Sequence, residues 1–263
     1  MKYYRSLSDY KLLPKSPVML MLDGRRFSKF CKQFNKPYDD NFIEMMNKTA
    51  LYLCNNIENV MFAYVQSDEI SIYLSDEGDS SDSWFSYRIS KLCSIASSMA
   101  ASYFNKLMTL YLLNGKTSVS EIRSIIDGYK TVEFDCKAWN LPDIRHVYLH
   151  FLWRQIDCVR NSKQMFARGY FSHNELEGVN TDDSIKMVKE KIGADWNDIE
   201  DGKKYGRFIY KLENIINTDN VSVVRYKNFY SDGFDLTSKE NKEKFFSIIR
   251  HLKELKNDKI SNR

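Results

Sequence analysis

Two rhythms of apolar and polar positions run through the chain, and they place most of its elements. Val60 to Val65 and Ile70 to Leu74 are short runs rich in β-branched and aromatic residues, the composition of strands. Gln66-Ser67-Asp68-Glu69 lies between them, which predicts a β-hairpin with two carboxylates at its tip. Val18 to Leu22 predicts an earlier strand that stops at Asp23-Gly24. Helical spacing runs from Asp40 to Ile57, with Phe42, Met45, Met46, Ala50, Leu53, Cys54 and Ile57 on one face. After the polar loop Ser75 to Ser83, a second helix is predicted from Trp84 to Leu107. Its apolar face would carry Phe85, Ile89, Leu92, Ala96, Met99, Tyr103 and Leu107, and Ser83 or a nearby Asp would cap it. Ser118 to Glu121 has the spacing of a capping box for a short helix.

Period-two alternation returns at Val132 to Trp139, with Val132, Phe134, Cys136 and Ala138 on one face and Glu133, Asp135 and Lys137 on the other. Leu141-Pro142-Asp143 breaks this strand and caps a long helix from Ile144 to about Phe171. That helix carries a polar stripe of Arg154, Asp157, Asn161, Gln164 and Arg168, which is either its wet face or a phosphate-binding edge. Asp157 would orient Arg154 or Arg160. Thr181 would cap a helix that Gly193 ends. Phe208 to Leu212 and Val221 to Tyr226 read as a hairpin behind the basic Lys203, Lys204 and Arg207. The tail from Glu240 to Leu255 is an amphipathic, lysine-rich helix, and the polar, basic residues 1–16 form an ordered arm or a leading helix.

Composition narrows the picture only a little. The chain has 263 residues, 43% of them hydrophobic and 14% aromatic, enough for one large core or two small ones. A net charge of +4 permits a nucleic-acid partner without demanding one. Five scattered cysteines with no CxxC pair support neither a zinc site nor a disulfide framework, and a reducing compartment fits best. The amino terminus lacks the apolar core of a signal peptide, and no apolar run approaches the roughly 20 residues that cross a bilayer. An intracellular, cytoplasmic protein is expected, or one of an organelle if the source is eukaryotic.

The chemistry concentrates at two strand ends. If the first strand and the hairpin share a sheet, Asp23 and Asp68 lie side by side, and paired carboxylates with open positions suit Mg²⁺ bound to substrate phosphates. Gly24 lets the backbone approach a ligand closely, and its carbonyl is a further candidate donor. Arg88 and Lys91, three apart, share a helix face, as two solvated residues or as phosphate contacts near the metal. Strand, Asp-Gly, helix and acidic hairpin in this order form the layout of a nucleotide-polymerising palm.

Five segments in order resemble the tRNA-His guanylyltransferase superfamily: DGRRF at 23–27, YVQSDEISIYL at 64–74, WFSYRISK at 84–91, FDCKAWNLPD at 134–143 and WRQIDCVRN at 153–161. Where the family's tRNA-His enzymes carry an HINN-type motif, this chain reads Val159-Arg160-Asn161-Ser162, which resembles the Thg1-like branch that repairs truncated tRNA 5′ ends. The resemblance implies an α+β fold: a palm-like antiparallel sheet packed with helices, plus a helical and hairpin C-terminal extension. Residues 1–143 would form the catalytic core, and 144–263 an extension of the same compact domain that helps bind RNA. It implies two Mg²⁺ ions held by Asp23, the Gly24 carbonyl and Asp68, with Glu69 as a supporting acid. Nucleotide contacts would come from Arg25, Arg26, Phe27, Lys36, Ser67, Arg88, Lys91 and Asn161. Met21 stands where relatives have an arginine, a contact that is either lost or supplied by Arg25 or Arg26. The implied substrates are ATP, GTP or other NTPs and tRNA, the implied assembly is a homotetramer, and the implied reaction is template-directed 3′–5′ addition. The rivals are a tRNA-His-specific guanylyltransferase, a palm-type nucleotidyl cyclase and an inactive RNA-binding scaffold.

Overall fold

A computed structural model of the chain describes residues 1–6, 8–77, 82–218 and 221–261, and the side chains of 5, 213–226 and 255–261 are not described. Gly78 to Ser81 of the predicted acidic loop, and Leu255 of the predicted tail stripe, therefore lie outside the described residues. In chain order the elements are α1 (Lys2–Ser6), β1 (Val18–Arg25), α2 (Phe27–Phe30), α3 (Asp40–Asn56), β2 (Val60–Gln66), β3 (Glu69–Leu74) and α4 (Ile89–Leu113). They continue with α5 (Val119–Gly128), β4 (Glu133–Asn140), α6 (Ile144–Tyr170), α7 (Thr181–Ile192), α8 (Asp201–Tyr205), β5 (Arg207–Thr218), β6 (Val221–Asp232) and α9 (Lys239–Ser261).

The six strands form one antiparallel sheet in the order β4-β1-β3-β2-β5-β6. The first four, with α3 and α4 as crossovers, make a split β-α-β-β-α-β unit, the arrangement expected of a palm. Side chains alternate across the sheet. Val18, Leu20 and Leu22 meet α3 and α4 on one face, where Met46, Ala50, Leu53, Leu92, Ala96 and Phe104 complete a buried core. Met19, Phe62, Tyr64 and Tyr73 turn to the other face, under α6 and α9, and pack on Phe151, Phe245 and Ile249. The C-terminal segment belongs to the same sheet, because β5 pairs directly with β2. Gln155 of α6 pins that segment down: its amide donates to the carbonyls of Tyr205 and Phe234 and accepts from the Leu236 N–H at 2.7 Å.

Helices α3 and α6 begin and end where the periodicity placed them. Asp39 caps α3 by accepting from Asn41 and Phe42, and Asp143 caps α6 by accepting from Arg145 and His146. Several local expectations need correction. The segment Trp84–Tyr87 is a separate 3-10 turn, with Phe85, Ser86 and Tyr87 at positive φ, so α4 starts only at Ile89. Phe85 is exposed, and the fully buried stripe of α4 is Leu92, Ala96, Ala100, Phe104 and Met108. The capping box at Ser118 does not close: its hydroxyl meets Ser120, while Glu121 pairs with Lys116. Asn180, one residue before Thr181, caps α7.

Gly24 sits inside β1 rather than in a turn. A Cβ at this position would collide with the ring of Phe27. Phe27 is buried and wedged among Phe30, Phe42, Phe104 and Phe134, so it cannot yield. The Phe27 ring is thus a core element supporting the strand and does not itself face a nucleotide. Gly24→Ala overpacks a rigid aromatic cluster, and urea unfolding of that variant is expected to show a loss of about 1–3 kcal/mol.

Candidate active site

The hairpin turn is tighter than its sequence implied. Gln66 and Glu69 are the last strand pair, leaving Ser67 and Asp68 as a two-residue loop with Ser67 at φ 46. That one-residue difference separates the two acids. Glu69 becomes a strand residue facing α6, and Asp68 stays at the turn, where it accepts from the Ser67 hydroxyl at 2.9 Å. Register then aligns Asp135, Asp23, Glu69 and Gln66 in one row across β4, β1, β3 and β2. Asp135 belongs to this row, although the sequence showed it only as a polar position on an edge strand.

Helix α6 closes over the row. Arg154 Nε donates to Glu69 Oε1 at 2.8 Å, and its NH2 pairs with Asp157 at 3.0 Å, which in turn holds Arg160 at 2.8 Å. Arg154 also lies over the Trp153 ring, 4.3 Å from its centroid. The polar stripe of α6 is therefore partly structural: Arg154 is buried and committed to Glu69, and Asp157 orients it as the spacing implied. Behind Glu69, Ser71 bridges to His150 Nε2 at 3.1 Å. Burial holds the His150 imidazole down at about 4, aided by the nearby Arg154 charge, so the ring is neutral at physiological pH.

Beside the row lies a cavity of about 220 Å³. Asp23, Ser67, Asp68 and Glu69 form one wall, and Asn161 and Ser162 of α6 another. Tyr38, Lys203 and Arg207, none of them an expected site residue, also reach it, Tyr38 from the segment that carries the expected nucleotide contact Lys36. Tyr38 is held by Ser162, whose hydroxyl also accepts from the Trp196 indole at 3.0 Å. Lys203 is tied to Asp40 at 2.8 Å, and Arg207 is buried against Asn47 and the Gly202 carbonyl. The cavity thus brings together Asp23, Asp68, Glu69, Ser67 and Asn161 of the expected residues. Lys36 is exposed in the loop two residues before Tyr38. Arg25 and Arg26 line a different groove, described below. Arg88 and Lys91 are not brought to the site. They line a recess with Lys2 and Asp9, and Arg88 pairs with Asp9 at 3.2 Å. Their segment follows the end of β3 opposite Glu69, a strand length of roughly 17 Å away.

The acids are electrostatically unsatisfied. Burial raises the pKa of Asp68, and the neighbouring Asp23 adds to the rise. Burial likewise raises Asp23, reinforced by Asp135. Glu69 is raised by burial despite its arginine. Among the described residues, no group of three or more His, Cys, Asp or Glu side chains is placed to hold a metal ion by itself. Mg²⁺ needs less, since one or two carboxylates plus substrate phosphates suffice. Asp23 and Asp68, whose charged forms burial disfavours, fit that donor set.

The family model described as Thg1, tRNAHis guanylyltransferase, matches residues 1–142. The chain belongs to this family, whose members are nucleotidyltransferases. An uncharacterized protein of Acanthamoeba polyphaga mimivirus is 31% identical across 84% of this chain and 78% of its own length. The tRNA(His) guanylyltransferase of Debaryomyces hansenii is 29% identical across 76% of this chain and 75% of its own. Among solved structures, a bacterial Thg1-like protein in complex with ATP superposes with a TM-score of 0.78 at 27% identity, covering 95% of this chain and 96% of that one. No helix among the described residues is long and apolar enough to cross a membrane.

Two measurements probe these electrostatics. Arg154→Met strands a buried Glu69 carboxylate and is expected to cost about 3–5 kcal/mol in urea unfolding, most of it regained in the Arg154→Met/Glu69→Gln double variant. For Asp68, the raised folded pKa means that the folded state holds its proton to higher pH than the unfolded chain. Stability is therefore lost as pH rises from the ordinary aspartate value of 3.8 through the folded pKa, and the deficit persists at neutrality. Asp68→Asn removes this deficit, so metal-free protein at pH 7 is expected to gain about 0.5–2 kcal/mol. Added Mg²⁺ should raise the melting temperature of the wild type more than that of the variant.

Proposed function

We propose that this protein extends the 5′ end of tRNA in the 3′–5′ direction, choosing each nucleotide by pairing with the opposite strand. The observation that carries the reading is the juxtaposition of two carboxylates whose charged forms burial disfavours, Asp23 and Asp68, with a cavity lined by Asn161, Lys203 and Arg207. One side is suited to cations and the other to phosphates. The bacterial Thg1-like structures in complex with ATP and with GTP give the fold two matching ligands.

Asp23 and Asp68 would hold Mg²⁺, with the Gly24 carbonyl as a further candidate donor. When bound, the metal lowers the pKa of the attacking hydroxyl and neutralises the leaving phosphate. Asn161 and Lys203 bind the triphosphate, while Ser67 orients Asp68. Arg154 holds Glu69 in place, which leaves Asp23 and Asp68 free for the reacting groups. In the first step the RNA 5′-monophosphate attacks the α-phosphorus of ATP, releases pyrophosphate and becomes 5′-adenylylated. In the second, the 3′-hydroxyl of the incoming nucleotide attacks the RNA 5′-phosphorus, loses its proton and expels AMP. A 5′-triphosphorylated RNA skips the first step and expels pyrophosphate. Nothing in this sequence of steps requires a protein nucleophile. The proposal includes a homotetramer, for which the exposed apolar stripe Leu149, Trp153 and Ile156 on α6 offers surface.

The assay is a tRNA lacking its first 5′ nucleotide, supplied with ATP, four NTPs and Mg²⁺, run on tRNA-His and on an unrelated tRNA with the opposing base varied. Template-matched addition to both is expected, falling at least a hundredfold in Asp68→Asn. Addition of G to tRNA-His alone would assign the protein to the tRNA-His-specific reaction that its curated relatives are named for. No addition to either RNA by folded protein would overturn the reading.

A further inference from the structure

Beyond the carboxylate row, at the end of β1, opens a groove of about 1050 Å³ that the nucleotide cavity does not include. It runs between α2, the end of α4 and the α5–β4 connection. Its lining carries five cations, Arg25, Arg26, Lys29, Lys32 and Lys130, against one carboxylate, Glu133. The whole chain has a net charge of only +4, so this is a pronounced local excess. Arg25 pairs with Glu133. Among the described residues, Arg26, Lys29, Lys32 and Lys130 have no carboxylate at ion-pair distance.

We propose that this groove seats the phosphodiester backbone of the RNA whose 5′ end reaches Asp23 and Asp68. This rests on the function proposed above. Three observations point to a backbone rather than to bases or to a free nucleotide. First, the aromatic rings in the wall are already engaged. Phe30 packs on Phe27, Phe34 and Phe104, and the Tyr129 hydroxyl donates to Asn105 at 2.6 Å, so no ring is free as a stacking platform. What remains is charge, which reads phosphates without sequence preference. Second, the groove starts beside the site. Arg25 lies two residues beyond Asp23 on the same face of β1, about 7 Å along the strand. A strand whose end meets the carboxylates therefore enters the groove directly. Third, one wall is rigid before any ligand arrives. The Asn105 side chain donates to the Val132 carbonyl and accepts from the Val132 N–H, both at 2.9 Å, fixing the α5–β4 connection to α4. On this assignment Arg25 and Arg26 serve the RNA strand, not the triphosphate.

The test measures RNA affinity without catalysis. Fluorescence anisotropy of a labelled, 5′-truncated tRNA is followed from 50 to 300 mM KCl without nucleotide or Mg²⁺. Three proteins are compared: the wild type, a Lys29→Gln/Lys32→Gln/Lys130→Gln variant, and a charge-matched control, Lys48→Gln/Lys186→Gln/Lys239→Gln. All six lysines are exposed, so folding is undisturbed. Three lost phosphate contacts should flatten the slope of log K against log salt by about 2 to 3. Affinity at 100 mM KCl should fall at least tenfold, with the control within twofold of wild type. The KM values for ATP and the incoming nucleotide should stay within twofold. Equal slopes for the groove variant and the control would overturn the proposal, as would a raised nucleotide KM with RNA affinity intact, which would mark a nucleotide subsite. A wild type that binds RNA through these lysines but extends none would fail the proposed function while leaving the groove assignment standing.

Discussion

The ion pair between Arg154 of α6 and Glu69 of β3 is the contact on which the rest of this architecture turns. Two charges buried at 2.8 Å recover their lost hydration only with good geometry and further partners. Both conditions are met here, through Asp157 on one side and the Ser71–His150 pair behind. The pair fixes α6 across the sheet at the one place where the hairpin turns. The same helix then presents Asn161 and Ser162 to the cavity, and its Gln155 anchors the C-terminal segment that contributes Lys203 and Arg207. By engaging Glu69, Arg154 also sets that acid apart as a structural member from Asp23 in the row and Asp68 at the turn.

That division carries a cost in stability which the function explains. Burial disfavours the charged forms of Asp23 and Asp68, with Asp135 adding to the effect at Asp23 and Asp23 adding to it at Asp68, while Lys137 and Arg154 offset only part of it at Asp23. An acidic pair so placed at strand ends makes little sense as scaffolding and good sense as a site completed by a cation and phosphates. The lysines and arginines beyond β1 complement it. They concentrate positive charge next to the acids but outside the cavity, where, on the proposal above, an RNA strand would be held without neutralising the site. On the proposed function, one face of a sheet end would separate three tasks: metal binding at Asp23 and Asp68, nucleotide binding under α6, and strand guidance past Arg25.

Much of this was legible in the sequence, for physical reasons. The helices α3 and α6 declare themselves by apolar spacing and by aspartate caps, and β2 and β3 by β-branched runs. The association of Asp23 with Asp68 follows once those strands share a sheet. Errors arose where local pattern and tertiary context part. Gln66 and Glu69 are polar, so they read as loop, yet the strand ladder extends through them. Phe85 has a helical spacing that a run of positive-φ residues cancels. Arg88 and Lys91 share a face, but spacing along a helix says nothing about which end of the sheet that face overlooks. Phe27 neighbours a candidate ligand in sequence while its ring turns into the core. Tyr38, Lys203 and Arg207 enter the cavity from distant segments, and no short-range signal could have grouped them with Asp68.

The most direct test is anomalous diffraction from crystals soaked with Mn²⁺ and a non-hydrolysable nucleoside triphosphate. The account predicts anomalous density within ligating distance of both Asp23 and Asp68, with the triphosphate reaching toward Asn161 and Lys203, and Glu69 still bound to Arg154. Density elsewhere, or a Glu69 that leaves Arg154 to ligate the ion while Asp68 stays uncoordinated, would contradict it.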